Sequence, residues 1–261
     1  MILKKSGNIN LYQFESFIGL PIKHGIFLRH GGCSPKPFDS LNLSTTVGDS
    51  RENVIRNRNS ILTALNIDDN RFFDVWQVHS SKVIMTDRPR NRDENYLRGD
   101  AIITKTRNIA LLMRFADCVP ILLMDPVNHA IGIVHAGWIG TLNKIVQKTV
   151  RDFINYFHSD PKKLRAGIGP SIGVDHYEIG KEVADKAQKV FPKNWNEIIQ
   201  NRKGSLFLDL WKANESSLQE IGVEQIEIAG ICTVCHIDDF FSHRGENGKT
   251  GRFGALISLN E

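Results

Sequence analysis

The 261-residue sequence predicts an α+β domain of mixed β-sheets flanked by helices. Short Val/Ile/Leu-rich segments crowd the stretch 74–134, leaving no room for the crossover helices of a doubly wound parallel sheet. Four segments with helical periodicity lie outside that stretch. No repeat, low-complexity tract or linker interrupts the chain, so residues 1–261 read as one domain of near-maximal single-domain size.

In chain order, the first helix opens at Asp49 with Glu52 three residues later, a capping-box pattern, and puts Val54, Ile61, Leu62 and Leu65 on one face. Strands are expected over 74–78, 83–86, 101–104, 109–114, 121–124 and 130–134, with the polar stretch 87–98 as the best loop. A second helix begins near Thr141, because Leu142, Ile145, Val146, Thr149, Val150, Phe153, Ile154 and Phe157 follow a 3.6-residue period. A strand over 164–168 comes next. Val183, Ala184, Ala187, Val190 and Phe191 mark a third helix, and 210–221 a fourth. Strands over 225–231 and 254–258 complete the chain.

Composition excludes several classes. With 41% hydrophobic and 24% charged residues, the chain is an ordinary globular sequence and disorder is not expected. The net charge of +4 is spread along the chain; it suits anionic small molecules and is too diffuse for a nucleic-acid face. Lys4 and Lys5 are not followed by the apolar stretch of a secretory signal. No run approaches the roughly 18–20 apolar residues that span a bilayer. Cys33, Cys118, Cys232 and Cys235 are too few for a disulfide framework, so the expectation is a cytoplasmic protein with reduced thiols.

Chemistry concentrates at three strand ends: Trp76-Gln77-Val78-His79-Ser80, Ala116-Asp117-Cys118-Val119-Pro120 and Val134-His135-Ala136-Gly137-Trp138-Ile139-Gly140. If His79, Cys118 and His135 converge on one rim, two imidazoles and a thiolate make a site for zinc, with copper as the alternative. Three protein ligands leave a coordination position open for catalysis. Residue type alone leaves Cys118 equally readable as a buried small hydrophobe, and both histidines as satisfied core residues. Gly137 and Gly140 suit a tight strand-to-helix turn, whose following amides would offer an anion site beside His135. Asp117 is the candidate proton carrier; the alternative is a solvated strand-end carboxylate.

These segments resemble the multicopper polyphenol oxidase, or laccase-domain, family, whose members have been reinterpreted as zinc-dependent purine nucleoside phosphorylases, one branch being called peptidoglycan editing factor. The resemblance spans nearly the whole chain. Arg29-His30-Gly31-Gly32-Cys33-Ser34, Leu41-Asn42-Leu43, Val47-Gly48-Asp49 and Asn57-Arg58 resemble its N-terminal signature. Gly169-Pro170-Ser171-Ile172 and Tyr177-Glu178-Ile179-Gly180 match its middle, and Cys232-Thr233, Phe241-Ser242-His243-Arg244 and Thr250-Gly251-Arg252 its end. The resemblance implies metal ligation by His79, Cys118 and His135, and an α+β fold also seen in certain Cys–His toxin deamidases. It implies phosphorolysis of adenosine, inosine or methylthioadenosine to base and sugar phosphate, with adenosine deamination as an accompanying activity.

Arg29, Asn42, Arg58, Gly137 and Arg244 are the expected substrate-binding residues. The chain departs from the family at Ile139, where an Arg is usual, and at His243, where a Tyr is usual. Rival functions are a Cys118 hydrolase using His79 or His135 as base on peptidoglycan-related amides, a copper-dependent polyphenol oxidase, and a non-catalytic partner of the cell-wall machinery. The oligomeric state stays open. Cys232-Thr233-Val234-Cys235-His236 has the form of a c-type haem attachment sequence, half a zinc site or a redox pair. Lacking an export signal and a second Cys pair, it reads as a turn near the active-site mouth.

Overall fold

Hydrophobic strands that are buried on both faces build this molecule, and that is why their sequences run apolar without alternating. The computed structural model describes residues 1–91 and 93–260; residue 92, inside the expected polar loop, lies outside the described residues. The N-terminal part contains β1 (Ile2–Ser6), β2 (Ile9–Gln13), β3 (Ile22–Phe27), α1 (Arg51–Ala64) and β4 (Phe72–Phe73). The central part contains β5 (Val83–Met85), β6 (Ala101–Thr104), β7 (Ala110–Phe115), β8 (Val119–Asp125), β9 (Ala130–Ala136), α2 (Trp138–Leu142), α3 (Ile145–Phe157) and β10 (Arg165–Ile168). The remainder contains β11 (Glu178–Ile179), α4 (Lys181–Val190), α5 (Trp195–Ile198), β12 (Ile199–Arg202), β13 (Ser205–Leu208), α6 (Leu210–Glu220), β14 (Gln225–Ile228) and β15 (Phe253–Leu259).

Two six-stranded mixed sheets result, ordered β1-β2-β3-β15-β7-β4 and β14-β10-β8-β9-β6-β5, with a small third sheet β11-β13-β12. The large sheets face each other across one apolar layer: Leu111, Met113, Phe253 and Ile257 from the first meet Ile102, Leu122, Met124 and Ile133 from the second. Neighbouring residues point the other way. Leu112 and Leu256 pack under Ile61 and Leu62 of α1. Ile103, Ile121 and Val134 pack under Val146, Val150 and Phe153 of α3 and Leu218 of α6. The fold is therefore α+β, as the crowding of strands predicts.

The differences have local causes. The strand expected over 74–78 does not form: β4 ends at Phe73 and only an isolated bridge from Trp76 to Arg98 follows, because Asp74 is fully buried and gathers the guanidiniums of Arg58, Arg90 and Arg114 instead of continuing the ladder. Ser50, not Asp49, caps α1, accepting from Asn53 N at 3.1 Å; Asp49 is drawn away to Ser34 Oγ at 2.6 Å and Asn42 Nδ2 at 2.9 Å. The second helix does not run on from Thr141. Lys144 takes a left-handed conformation, φ 56°, that ends α2 and starts α3. Strands β1–β3 and the third sheet are additions that the sequence pattern does not predict.

Candidate active site

Sheet register brings the chemistry together. In the β8–β9 hairpin Pro120 lies opposite His135, so Cys118, just before β8, emerges at the same end as His135. In the β6–β9 pair Ala101 lies opposite Val134, which puts Asp100 beside His135. Strand β5 runs parallel to β6 with Val83 beside Ala101, so the chain entering β5, including His79, also reaches this rim.

Asp100 organises the rim, and sequence reasoning missed it. Its buried carboxylate accepts from the backbone amides of His79 at 3.0 Å and Ser80 at 2.6 Å, and from Ser80 Oγ at 2.7 Å. Held this way, His79 sits in the left-handed region at φ 57°. The same carboxylate meets His135 Nδ1 at 2.9 Å, leaving the other ring nitrogen free to face the thiol. Burial pushes the Asp100 carboxyl up, but His135 and Ser80 more than offset it, so it stays ionised below its ordinary range.

One donor atom from each of His79, Cys118 and His135 lies within 4.8 Å of the others. Burial pushes the Cys118 thiol up, yet His135 and His79 outweigh that and bring it down to about 6. His135 moves the opposite way, to about 9: burial opposes its charge, while Cys118 and Asp100 favour it. The result is a thiolate between two imidazoles. Gly137 makes room for it, since a Cβ there would lie 2.9 Å from Cys118 Sγ and 3.3 Å from His79 Cδ2. A thiolate, two imidazoles and a carboxylate that orients one of them are the donor set of a catalytic zinc site, so the residues present fit a metal ion.

The trio forms part of the wall of a cavity of about 470 Å³. Aromatic walls come from Trp76, Tyr96, Trp138 and Tyr177, and positive charge from Arg114, Arg244 and Arg252. Arg114 is held by Asp74 at 2.9 Å and by Gln77 Oε1 at 3.3 Å. Because Asp74 also takes Arg90 at 2.8 Å and Arg58 at 3.5 Å, one carboxylate serves three guanidiniums, and this cluster keeps a positive surplus beside the cavity. Burial pushes the Tyr177 hydroxyl well above its ordinary range, so it stays protonated.

Of the residues expected from sequence, His79, Cys118, His135, Asp117 and Arg244 line this cavity and Gly137 abuts it. Asp117 accepts from Thr233 Oγ1 at 2.7 Å, Ser242 Oγ at 2.7 Å and Arg244 N at 2.6 Å. Those three donors make it an anchor rather than a group free to carry protons. Three expected contacts lie elsewhere. Arg29 turns to Ile237 O at 2.8 Å and Glu246 at 3.1 Å, beside a separate cavity. Arg58 donates to Leu43 O at 3.1 and 3.0 Å and does not line the cavity; it stands behind Arg114, with which it shares Asp74. Asn42 is fully buried, holding Ser44 and Arg252 by their backbone amides at 3.1 and 2.9 Å.

The anion site expected from the turn after His135 also changes character. Helix α2 has five residues and no side-chain cap, so its few aligned peptides sum to a small dipole. Positive charge for an anion comes from guanidiniums instead. Sequence reasoning missed Arg114 and Arg252; an Arg closing the apolar run Ala110–Phe115 is the available signal for the first. The 232–236 segment does form a turn, with His236 N donating to Cys232 O at 3.0 Å, and Thr233 ties it to the cavity through Asp117.

Comparisons with known proteins extend over nearly the whole chain. Residues 23–260 match the family described as multi-copper polyphenol oxidoreductase laccase. A Deinococcus radiodurans protein named purine nucleoside phosphorylase is 35% identical over 240 residues, covering 92% of this chain and 90% of that protein. The Bacillus subtilis purine nucleoside phosphorylase YlmD is 34% identical, covering 91% of this chain and 88% of its own. The crystal structure of YlmD from Geobacillus stearothermophilus superimposes with a TM-score of 0.92 at 30% identity, covering 99% and 98% of the two chains. That of the Bacillus licheniformis hypothetical protein YfiH also gives 0.92, at 32% identity and 99% coverage of both. With its profile matched from residue 23 to residue 260, the chain belongs to the multi-copper polyphenol oxidoreductase laccase family.

Proposed function

We propose that this protein is a metal-dependent purine nucleoside phosphorylase, acting on adenosine, inosine or methylthioadenosine together with phosphate. The observation that carries the proposal is a thiolate–imidazole trio beside aromatic walls and guanidiniums in one cavity, in a chain whose relatives bear that name. A cavity of about 470 Å³ is in the range of small-ligand pockets.

His79, Cys118 and His135 would hold the metal, zinc by donor type with copper as the alternative. When bound, that ion supplies a Lewis acid for a substrate oxygen. The chain's own groups do the rest. Arg114, Arg244 and Arg252 hold phosphate against the anomeric carbon, where positive charge develops as the glycosidic bond breaks. Trp76, Tyr96 and Tyr177 offer faces for the purine, and the protonated Tyr177 hydroxyl can donate to it. The phosphate oxygen forms the new bond to carbon, and the base leaves with the bonding pair and takes up a proton. This reading expects the protein to work in a reducing compartment, the cytoplasm, where a free thiol at Cys118 is kept from oxidation.

The experiment supplies purified protein with inosine or adenosine and varies only phosphate. Equal yields of free base and ribose 1-phosphate, rising with phosphate, support the proposal. Base release that ignores phosphate would replace it with hydrolysis, and ammonia release without free base with deamination.

One observation favours a second reading. Cys118 near 6, His135 near 9 and Asp100 on His135 Nδ1 also make a Cys–His–Asp arrangement suited to acyl transfer. Chelation separates the two, because only the metal enzyme loses activity when its ion is withdrawn.

A further inference from the structure

Outside the cavity trio, His176, Cys232 and Cys235 form a second His/Cys group, each contributing one donor atom within 4.8 Å of the others. The parallel bridge between Ser171 and Cys232 lays the two segments side by side, with Ser171 N donating to Ile231 O at 3.2 Å and Thr233 N to Ser171 O at 3.0 Å. The 232–236 turn then presents both sulfurs to the loop carrying Asp175 and His176. Gly173 is required there: a Cβ would stand 2.6 Å from Asp175 Oδ1 and 3.2 Å from Cys232 Sγ. Its amide donates to Cys232 Sγ at 3.2 Å, which fixes where that sulfur sits.

We propose that His176, Cys232 and Cys235, with Asp175 as fourth ligand, bind a second metal ion of the zinc class. Four ligands at zinc bond lengths, about 2.3 Å for sulfur and about 2.0–2.1 Å for nitrogen and oxygen, place sulfur and nitrogen about 3.6 Å apart along a tetrahedral edge. His176 Nδ1 lies 3.6 Å from Cys232 Sγ and 3.6 Å from Cys235 Sγ. Asp175 Oδ2 lies 3.8 Å from Cys235 Sγ and 3.1 Å from His176 Nδ1, two more of the edges, and its exposed carboxylate would turn toward Cys232 to complete the set. A second Cys pair is therefore unnecessary: the ligands that complete the Cys-X-X-Cys segment come from a loop some sixty residues earlier, and the site is structural, with four protein ligands and no open position. Binding releases the two thiol protons to solvent and involves no redox step.

The site would brace the cavity rim. Tyr177 follows His176 directly and lines the cavity, and Arg244 Nη1 rests on His176 O at 3.3 Å. Thr233, next to Cys232, holds Asp117 beside Cys118. The metal would thus join two loops whose side chains shape the pocket.

The test counts metal in protein purified under reducing conditions from zinc-supplemented cells. Wild type should carry about two zinc ions per chain, one for each donor set. The Cys235→Ala/His176→Ala pair should lose one, and Cys118→Ala the other. Cys235 is exposed and His176 half-buried, so that pair disturbs the core little. Cobalt substitution gives a second readout. Thiolate-to-cobalt absorption should fall by about two-thirds in Cys232→Ser/Cys235→Ser and by about one-third in Cys118→Ala, in proportion to the sulfur bonds lost. An unchanged metal count in the Cys235→Ala/His176→Ala pair would overturn the proposal. So would a native mass short by two hydrogens, marking a Cys232–Cys235 disulfide. Neither readout depends on the reaction catalysed at the cavity.

Discussion

Asp100 and His135 are joined twice: His135 N donates to Asp100 O at 2.7 Å, and the imidazole Nδ1 meets the carboxylate at 2.9 Å. Backbone and side chain together leave His135 one orientation, with its second nitrogen toward Cys118. Asp100→Asn keeps the shape but removes the charge and can present an amide N–H to Nδ1, favouring the wrong tautomer. Loss of such an orienting carboxylate typically weakens metal affinity by about 10–100-fold. Competition with a chromogenic zinc chelator measures this; wild-type affinity in the variant would remove Asp100 from the account.

Chelation separates metal chemistry from cysteine nucleophilic catalysis. Dialysis against a strong chelator should abolish activity, and added zinc should restore it. An enzyme using Cys118 as nucleophile would keep working through the treatment, and substrate would leave a covalent adduct on that sulfur. Cys118→Ser does not discriminate, because both mechanisms lose their key atom.

Arg252 lines the cavity while its Nη1, among the described residues, donates to the carbonyls of Thr250 and Gly251, at 3.0 and 2.8 Å. Arg252→Gln should raise the phosphate KM by about 10–100-fold, the worth of one charged hydrogen bond of roughly 1.5–3 kcal/mol. The nucleoside KM should change little. Equal effects on both substrates would mean that the residue shapes the whole cavity rather than binding the anion.

Gly137→Ala tests the fit around the thiolate. Its Cβ would intrude to 2.9 Å from Cys118 Sγ, and one of the two must move. The variant should fold, since φ at this position is −75° and open to alanine, but should bind metal more weakly than wild type. Titration with zinc monitored by calorimetry distinguishes this from an unaltered site.

His24 gives the fold a pH dependence of its own. It is buried, its Nε2 accepts from Phe14 N at 2.9 Å, and burial lowers it from 6.5 to about 4. Below pH 6.5 the unfolded chain takes up a proton that the folded chain refuses. Stability from this residue is therefore complete above about 6.5 and is lost as pH falls toward 4, by an amount on the order of 3 kcal/mol. Urea unfolding at pH 7.5 and pH 4.5 should show that His24→Gln, which can still accept the amide, narrows the gap between the two. An equal gap in both proteins would assign the effect to other groups.

Much of this molecule is legible in its residues, for physical reasons. Strands β6, β8 and β9 are continuous apolar runs with clear ends, so the amino-acid pattern alone puts His135 and Cys118 near strand termini. Asp100 is not legible as the organiser, because its role arises from the β6–β9 pairing and from amides of a loop twenty residues earlier. Arg29 and Arg58 sit in motifs, but tertiary partners, not motifs, decide where a guanidinium points. The break at Lys144 hides inside a perfect amphipathic period, since periodicity reports which face is buried and says little about one residue with positive φ. His176 and Cys235 are far apart in sequence, and only the Ser171–Cys232 bridge makes them neighbours.

The β8–β9 hairpin has one further consequence. Its reactive end carries Cys118 and His135, while its other end is a turn in which Asp125 Oδ1 accepts from Val127 N at 2.8 Å and Asn128 N at 3.0 Å. Seven residues of strand separate the two, about 23 Å of extended chain. Val127 is 64% exposed at the tip. This hairpin is a lever whose handle is far from its working edge, so a peptide tag spliced after Val127 would give a surface attachment point that leaves the chemistry untouched.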